Sequence, residues 1–237
     1  MLHWPRWTAP MARSSRPIRG VRLLVGTVIA VIVVVGLVLA AYFTPLMSVK
    51  KVTISGNSVV SADEIRSAAA IPANKPLLQV DTEAAARRVA AIPHIASARV
   101  KRSYPSTITI TVVERSPVVY IDGPDGKQLV DKTGYPYAPG DPPAGVPKLV
   151  TPTPGSGDAA TTAALSVFTQ LPPVIADQVA EIDAPTASNV VLILKDKRRV
   201  YWGSDDDTPA KAQTLIALLT QPGTEYNVMS PNNPTVR

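Results

Sequence analysis

The chain contains no cysteine. That excludes disulfides, a cysteine nucleophile, iron–sulfur clusters and thiolate zinc sites. Its two histidines, His3 and His94, are too few and too far apart for a His-based metal cluster. Aromatic residues make up 5% of the chain, whereas 24 prolines and 13 glycines promise many turns and short elements. Acidic residues are missing from the first 62 positions, where Arg6, Arg13, Arg16, Arg19 and Arg22 all precede Asp63. With those five arginines set aside, 19 basic residues face 18 acidic ones, so all but one unit of the formal charge of +6 belongs to one tail. No folded part therefore carries the field of a polyanion binder.

Leu23–Phe43 is a run of 21 residues without a charge, 14 of them Leu, Ile, Val or Phe. A helix of that length spans roughly 30 Å, the thickness of the hydrocarbon core of a bilayer. Its side chains favour insertion by roughly 4–8 kcal/mol. A cleavable signal peptide has a shorter apolar core and a small-x-small site; here Tyr42, Phe43 and Pro45 follow Ala40-Ala41. The run is read as an uncleaved signal anchor. Arg13, Arg16, Arg19 and Arg22 determine its topology and keep the N-terminus cytoplasmic, outweighing Lys50 and Lys51. Gly26/Ala30 and Gly36/Ala40 are small-xxx-small pairs that permit close helix contact.

Beyond the span the chain reads as α+β. Val49–Asn57 alternates as a strand, and Ser61-Ala-Asp-Glu64 has the spacing of a capping box. A helix follows to Pro72. A second starts near Asp81, with Ala85, Val89 and Ile92 on one face. Ala96, Ala98 and Val100 alternate with Ser97, Arg99 and Lys101, and Ile108, Ile110 and Val112 alternate with threonines and Val113. The β-α-α-β-β order predicts a three-stranded sheet with two helices on its apolar face. Glu114-Arg115-Ser116-Pro117 interrupts the last run before Val118–Ile121 resumes it.

Further on, Lys127–Asp131 and Leu149-Val150 read as strands around a proline-rich loop that ends at Pro147. A helix from about Ala159 places Ala164, Phe168 and Leu171 on one side and ends at Pro172-Pro173. Val179–Ala184, Asn189–Leu194 and Arg198–Trp202 are strand-like, the last two joined by a hairpin at Lys195-Asp196-Lys197. Thr208 is expected to cap a helix with Pro209 in its first turn and a stripe of Ala212, Leu215, Ile216 and Leu219. Glu225–Ser230 is expected as the final strand.

Three patterns invite a chemical reading. Ser48-Val-Lys-Lys51, Ser55-Gly-Asn57 and Lys132-Thr-Gly134 fit the penicillin-binding trio, but Ser48 enters a strand rather than opening a helix, and one extended segment cannot bring Ser48 and Ser55 together. Asp205-Asp206-Asp207 could meet a divalent cation, yet the run suits the positive end of the following helix. Lys197-Arg198-Arg199 is a solvated hairpin tip with a partner or teichoic-acid surface as its alternative. No catalytic residue, cofactor site or metal site is assigned, and the protein is expected not to be an enzyme.

The strings VKKVTISGN, SADEIR and YPSTITITVVERSPVVYI, placed directly after a signal anchor, resemble a POTRA domain of the FtsQ/DivIB family of bacterial division proteins. VLILKDKRRVYWGSDDDTPAKAQTLIALL and EYNVMSPNNPTVR are similar to the family's actinobacterial branch. The resemblance implies a basic tail (1–22), an anchor (23–43), a POTRA domain (49–117), a family β domain (118–230) and a C-terminal tail (231–237). It also implies a membrane scaffold at the division septum, with FtsL- and FtsB-like partners and, through them, FtsW and a class B penicillin-binding protein. A terminal strand at a sheet edge can accept an extended partner segment. The edge expected here is Glu225, Tyr226, Asn227, Val228, Met229 and Ser230, with Tyr226 and Val228 or Asn227 and Met229 filling alternate pockets. The other readings are a polypeptide-transport module, which predicts repeated domains and a β-barrel, and a membrane-anchored cell-wall enzyme.

Overall fold

The computed structural model describes residues 18–43, 47–124 and 126–237, with side chains placed for 23–40 in the first segment. Arg13 and Arg16 lie outside the described residues, and Arg19 and Arg22 are placed by their backbone alone. α1 (Ile18–Phe43) is a continuous helix, and Leu23–Ala40 is long and apolar enough to cross a membrane. None of that window is covered by the other described residues. A helix so apolar on every side needs lipid or protein around it.

The first globular module holds β1 (Lys51–Ser55), α2 (Ala62–Ala69), a 3-10 turn (Leu77–Gln79), α3 (Thr82–Ala90), β2 (Ile95–Ser103) and β3 (Thr107–Glu114). The sheet order is β1-β3-β2, with β1 parallel and β2 antiparallel to the central β3. Both helices start on side-chain caps: Ser61 Oγ accepts from the Glu64 amide, and Asp81 accepts from the Ala84 amide. Each cap satisfies an amide that a helix start leaves free. Ile65, Ala69, Ala85 and Val89 meet Val100, Ile108, Ile110 and Val112 in one core.

The alternation of Thr107–Val113 holds along β3: Ile108, Ile110 and Val112 are buried and Thr111 and Val113 are exposed. In β2 it breaks. Ile95 pairs with Glu114 and Ser97 with Val113, so Ala96 is an extra residue in a bulge. Ile95 is thereby buried and Ala96 exposed, contrary to the face expected for Ala96, because one inserted residue reverses the side-chain parity.

Glu114 closes the module. Its carboxylate accepts from the backbone amides of Ser58, Val59 and Val60 at 2.8–3.1 Å. Desolvation pushes its pKa up, but these amides outweigh it and hold the carboxyl below its ordinary value. A depressed carboxyl stabilises the fold above the unfolded pKa, near 4.3, and that contribution is lost as pH falls through the folded value. Glu114→Gln is expected to lower the unfolding free energy at neutral pH by about 1–2 kcal/mol, allowing for solvent at this half-buried site. Urea titration at pH 7 and near pH 3 checks this. Wild type and variant should differ at pH 7 and converge in acid.

The second module is one nine-stranded sheet, β12-β11-β10-β9-β8-β7-β4-β5-β6. Its strands are β4 (Pro117–Gly123), β5 (Gly126–Asp131), β6 (Pro136–Pro139), β7 (Lys148–Val150), β8 (Val179–Thr186), β9 (Asn189–Leu194), β10 (Arg199–Gly203), β11 (Glu225–Asn227) and β12 (Thr235–Val236). The helices are α4 (Ala159–Gln170), the short α5 (Pro173–Ala176) and α6 (Thr208–Leu218). Ala160, Ala164 and Val167 of α4 and Ala212 and Leu215 of α6 pack with Ile182, Leu192, Val200, Trp202 and Tyr226 of the sheet. Phe168 is only partly buried at the margin of this core.

Two expectations fail at α6. Asp207, in the left-handed region at φ 50°, occupies the cap position without a side-chain bond, and Thr208 is the first helical residue. Thr208 Oγ1 instead donates to Asp205 O and accepts from Trp202 Nε1 at 3.3 Å, so tertiary packing claims the hydroxyl. Of the expected stripe, Ile216 turns outward, while Lys211, which lies outside it, is buried. Lys211 Nζ donates to Ser204 O at 2.9 Å. Burial lowers its pKa, and Asp206, Asp207 and Asp205 oppose that shift.

Candidate functional site

The C-terminal end of the large sheet holds the residues singled out in the sequence. After β10 the chain crosses over through α6 and returns as β11, parallel to β10: Arg199 pairs with Glu225, Val200 with Tyr226 and Tyr201 with Asn227. The strand is shorter than Glu225–Ser230. Beyond Asn227 only the Val228 amide continues the ladder, donating to Tyr201 O at 3.0 Å. Asn227 Oδ1 then accepts from the Met229 amide, and Met229 and Ser230 stand exposed.

The strand is not the edge. Residues expected as a tail form β12, which runs antiparallel to β11 with Tyr226 opposite Val236 and Asn227 opposite Thr235. The Arg237 amide donates to Glu225 O at 2.9 Å, and the Glu225 and Thr224 amides donate to Arg237 O. A chain that turns back at Pro231–Pro234 thus shields the backbone groups expected to be open. The outermost strand is two residues long, with Thr235 exposed. At the far end of the sheet, β6 begins and ends with proline. Proline has no amide to donate, which blunts that edge.

Tyr226 and Val228 are fully buried and belong to the core. They are not pocket-filling positions for a partner, which corrects one of the two alternate sets. The Tyr226 hydroxyl is shared between Gln221 O at 2.9 Å and Gly223 O at 3.1 Å, and it accepts from Arg198 at 3.3 Å. The Arg198 guanidinium also lies over the Tyr226 ring, 5.5 Å from its centroid. Arg198, read from the sequence as part of a solvated hairpin tip, therefore braces this end of the sheet. Its pKa is raised by the Tyr226 hydroxyl and by Asp196, against desolvation.

The outward set is Glu225, Asn227 and Met229. Glu225 and Asn227 line an open, polar depression of about 240 Å³ with Tyr201, Thr235 and Arg237. Tyr201 donates to Glu225 Oε1 at 3.4 Å. Met229 lies against Gly203, whose φ of +79° disfavours any side chain and where an added Cβ would press on Met229 Cγ. The site therefore offers hydroxyl, amide and carboxylate groups beside a short open strand, an arrangement suited to pairing with an extended peptide.

The catalytic pattern does not assemble. Ser48 is buried in an isolated backbone bridge to Pro76, and Ser55 ends β1 beside Thr111 Oγ1. Seven extended residues separate them by about 20 Å. Lys132 lies in the turn after β5 of the other sheet. Among the described residues no group of three or more His, Asp or Glu side chains could hold a metal.

Residues 47–115 match the family model "POTRA domain, FtsQ-type", and residues 119–230 match "Cell division protein FtsQ/DivIB, C-terminal". Cell division protein FtsQ of Mycobacterium bovis is 47% identical over 228 residues, covering 96% of this chain and 72% of the relative. The chain belongs to the FtsQ/DivIB family of cell division proteins. FtsQ of Mycolicibacterium smegmatis is 49% identical over 220 residues, 93% of this chain and 66% of that protein. FtsQ of Corynebacterium glutamicum is 28% identical over 219 residues and is covered over 98% of its length. The chain thus spans about two thirds of the mycobacterial relatives. Family membership agrees with the POTRA module and the C-terminal β domain seen in the fold. It also suits α1, the one helix among the described residues long enough to make a single-pass membrane protein.

The sequence reading missed β6, β12 and the contact joining the two modules. In that contact Arg115 pairs with Asp131, and both side chains are largely buried. The Arg115 guanidinium also stacks over Tyr135, 4.6 Å from the ring centroid. The signal was present, since Glu114-Arg115-Ser116-Pro117 stood out as an interruption. Its partner, sixteen residues away on another strand, left no trace in the pattern.

Proposed function

We propose that this protein is a non-catalytic, bitopic scaffold of the bacterial division machinery. The basic tail with Arg13, Arg16, Arg19 and Arg22 stays cytoplasmic, and the two globular modules stand outside the membrane at the septum. Through its C-terminal sheet edge it recruits FtsL- and FtsB-like partners and links them to FtsW and a class B penicillin-binding protein. The observation that carries the reading is the asymmetry of the large sheet: proline blunts one edge, while the other ends in an open two-residue strand. A partner strand pairs there beside Thr235–Val236 or in their place, with Glu225, Asn227 and Met229 facing it. Tyr226 and Val228 fix the edge from inside.

A proline at position 228 would break the bond from the Val228 amide to Tyr201 O and disturb a buried side chain. It would test the fold rather than the docking. The informative experiment places a photocrosslinking residue at Asn227, Met229 or Thr235 of the full chain in dividing cells, with Lys132 as an exposed control. Crosslinks to FtsL- or FtsB-like proteins from the edge positions and none from Lys132 are expected. Their absence at all three edge positions, with the protein folded and present at the septum, rejects the strand-addition role.

A further inference from the structure

One end of the first module carries unpaired cations and exposed apolar side chains beside the membrane helix. Phe43, the last residue of α1, is five peptide units from Ser48, so at most about 19 Å separates their Cα atoms. Cα atoms of α1 also come within 8 Å of those of the Leu77–Gln79 turn. The β2–β3 turn is held at this same end, because the amides of Lys50 and Lys51 both donate to Ser106 O. Arg102 joins the two turns by donating to Leu77 O and Val80 O at 2.7–2.8 Å.

The outer surface of this rim has a consistent chemistry. Tyr104 is 57% exposed and Leu78 38% exposed, and Lys50, Lys51 and Lys101 are exposed around them. Lys51 stands opposite Thr107, and Lys101 opposite Thr109, so both rise from the sheet face that carries no helix. None of the three lysines has a carboxylate partner among the described residues. Asp81, the nearest acid to the 3-10 turn in sequence, is engaged in capping α3. A tyrosine with a wet hydroxyl, an exposed leucine and a group of free ammonium ions are the side chains that favour a headgroup layer.

We propose that this rim rests on anionic phospholipid headgroups of the leaflet from which α1 emerges. The lysines meet phosphates, while Tyr104 and Leu78 enter the interface. Seating the module in this way sets its tilt, and so the direction in which the second module extends from the membrane. Each lysine near an anionic surface favours the seated state by roughly fivefold, and high salt screens that attraction.

The test is hydrogen exchange on the full chain in nanodiscs of phosphatidylcholine alone, or of phosphatidylcholine doped with phosphatidylglycerol. Peptides covering 101–107 are expected to exchange about tenfold more slowly in the anionic discs, with high salt abolishing the difference. The triple variant Lys50→Gln/Lys51→Gln/Lys101→Gln should lose the slowing while core amides at 108–112 stay protected, and Tyr104→Ser should weaken it with every lysine kept. Equal exchange in both lipids overturns the proposal, as does slowing that survives in the triple lysine variant or is undiminished in Tyr104→Ser. Equivalent slowing by soluble glycerol phosphate in phosphatidylcholine discs also overturns it, since a free anion would then suffice.

Discussion

Trp202→Ala is expected to lower the unfolding free energy by about 4 kcal/mol, as large aromatic-to-alanine truncations in closed cores do. Trp202 is fully buried and stands first among the largest such side chains. It lies on β10, between β9 and β11, under the helix-covered core. Its indole also donates to Thr208 Oγ1, so truncation removes a donor from the residue that opens α6 as well as leaving a cavity. Trp202→Phe keeps most of the volume and is expected to lose about half as much. Urea unfolding followed by far-UV circular dichroism measures both variants without depending on tryptophan emission. A loss below about 1 kcal/mol for the alanine variant would mean that the core around β10 collapses to refill the space.

Arg115→Ala is expected to destabilise the protein by about 3 kcal/mol, because removing one member of a buried pair strands the other charge. Asp131 is 4% exposed, and apart from Arg115 it accepts from the Thr133 amide, the Thr133 hydroxyl and the Tyr135 amide. Burial raises its pKa, but the Thr133 hydroxyl, Arg115 and those amides together hold it below the ordinary carboxylate value. The contribution is complete above the unfolded pKa of about 3.9 and is lost as pH falls through the lower, folded value. Arg115→Ala and wild type should therefore differ widely at pH 7 and approach each other in strong acid. A double-mutant cycle with Asp131→Ala should give a coupling of about 2 kcal/mol; a coupling near zero would mean that the two modules are joined by packing alone.

These two sites also mark how far the sequence could be read. Trp202 ends the strand-like run Arg198–Trp202, and β10 buries Val200 and Trp202. The cap of α2, the start of α3, the membrane-length apolar helix and the β-α-α-β-β order were legible for a similar reason. Each rests on residues within a few positions of one another, where spacing alone decides which groups can meet. Asp131 gave no such sign, since it reads as the last residue of a short strand and its partner comes from across the junction.

What the sequence alone determined is the set of local elements, the lipid-compatible helix and, through the strings after it, the family. Tertiary structure decided which side chains those elements present. The bulge at Ala96 reversed one end of β2, packing drew Lys211 inward and turned Ile216 out, and the return of Thr235–Val236 moved the sheet edge one strand beyond Glu225–Ser230. The physical reason is common to all three. Strand pairing and burial depend on which distant backbone groups find each other, and periodicity along one segment carries no record of that choice.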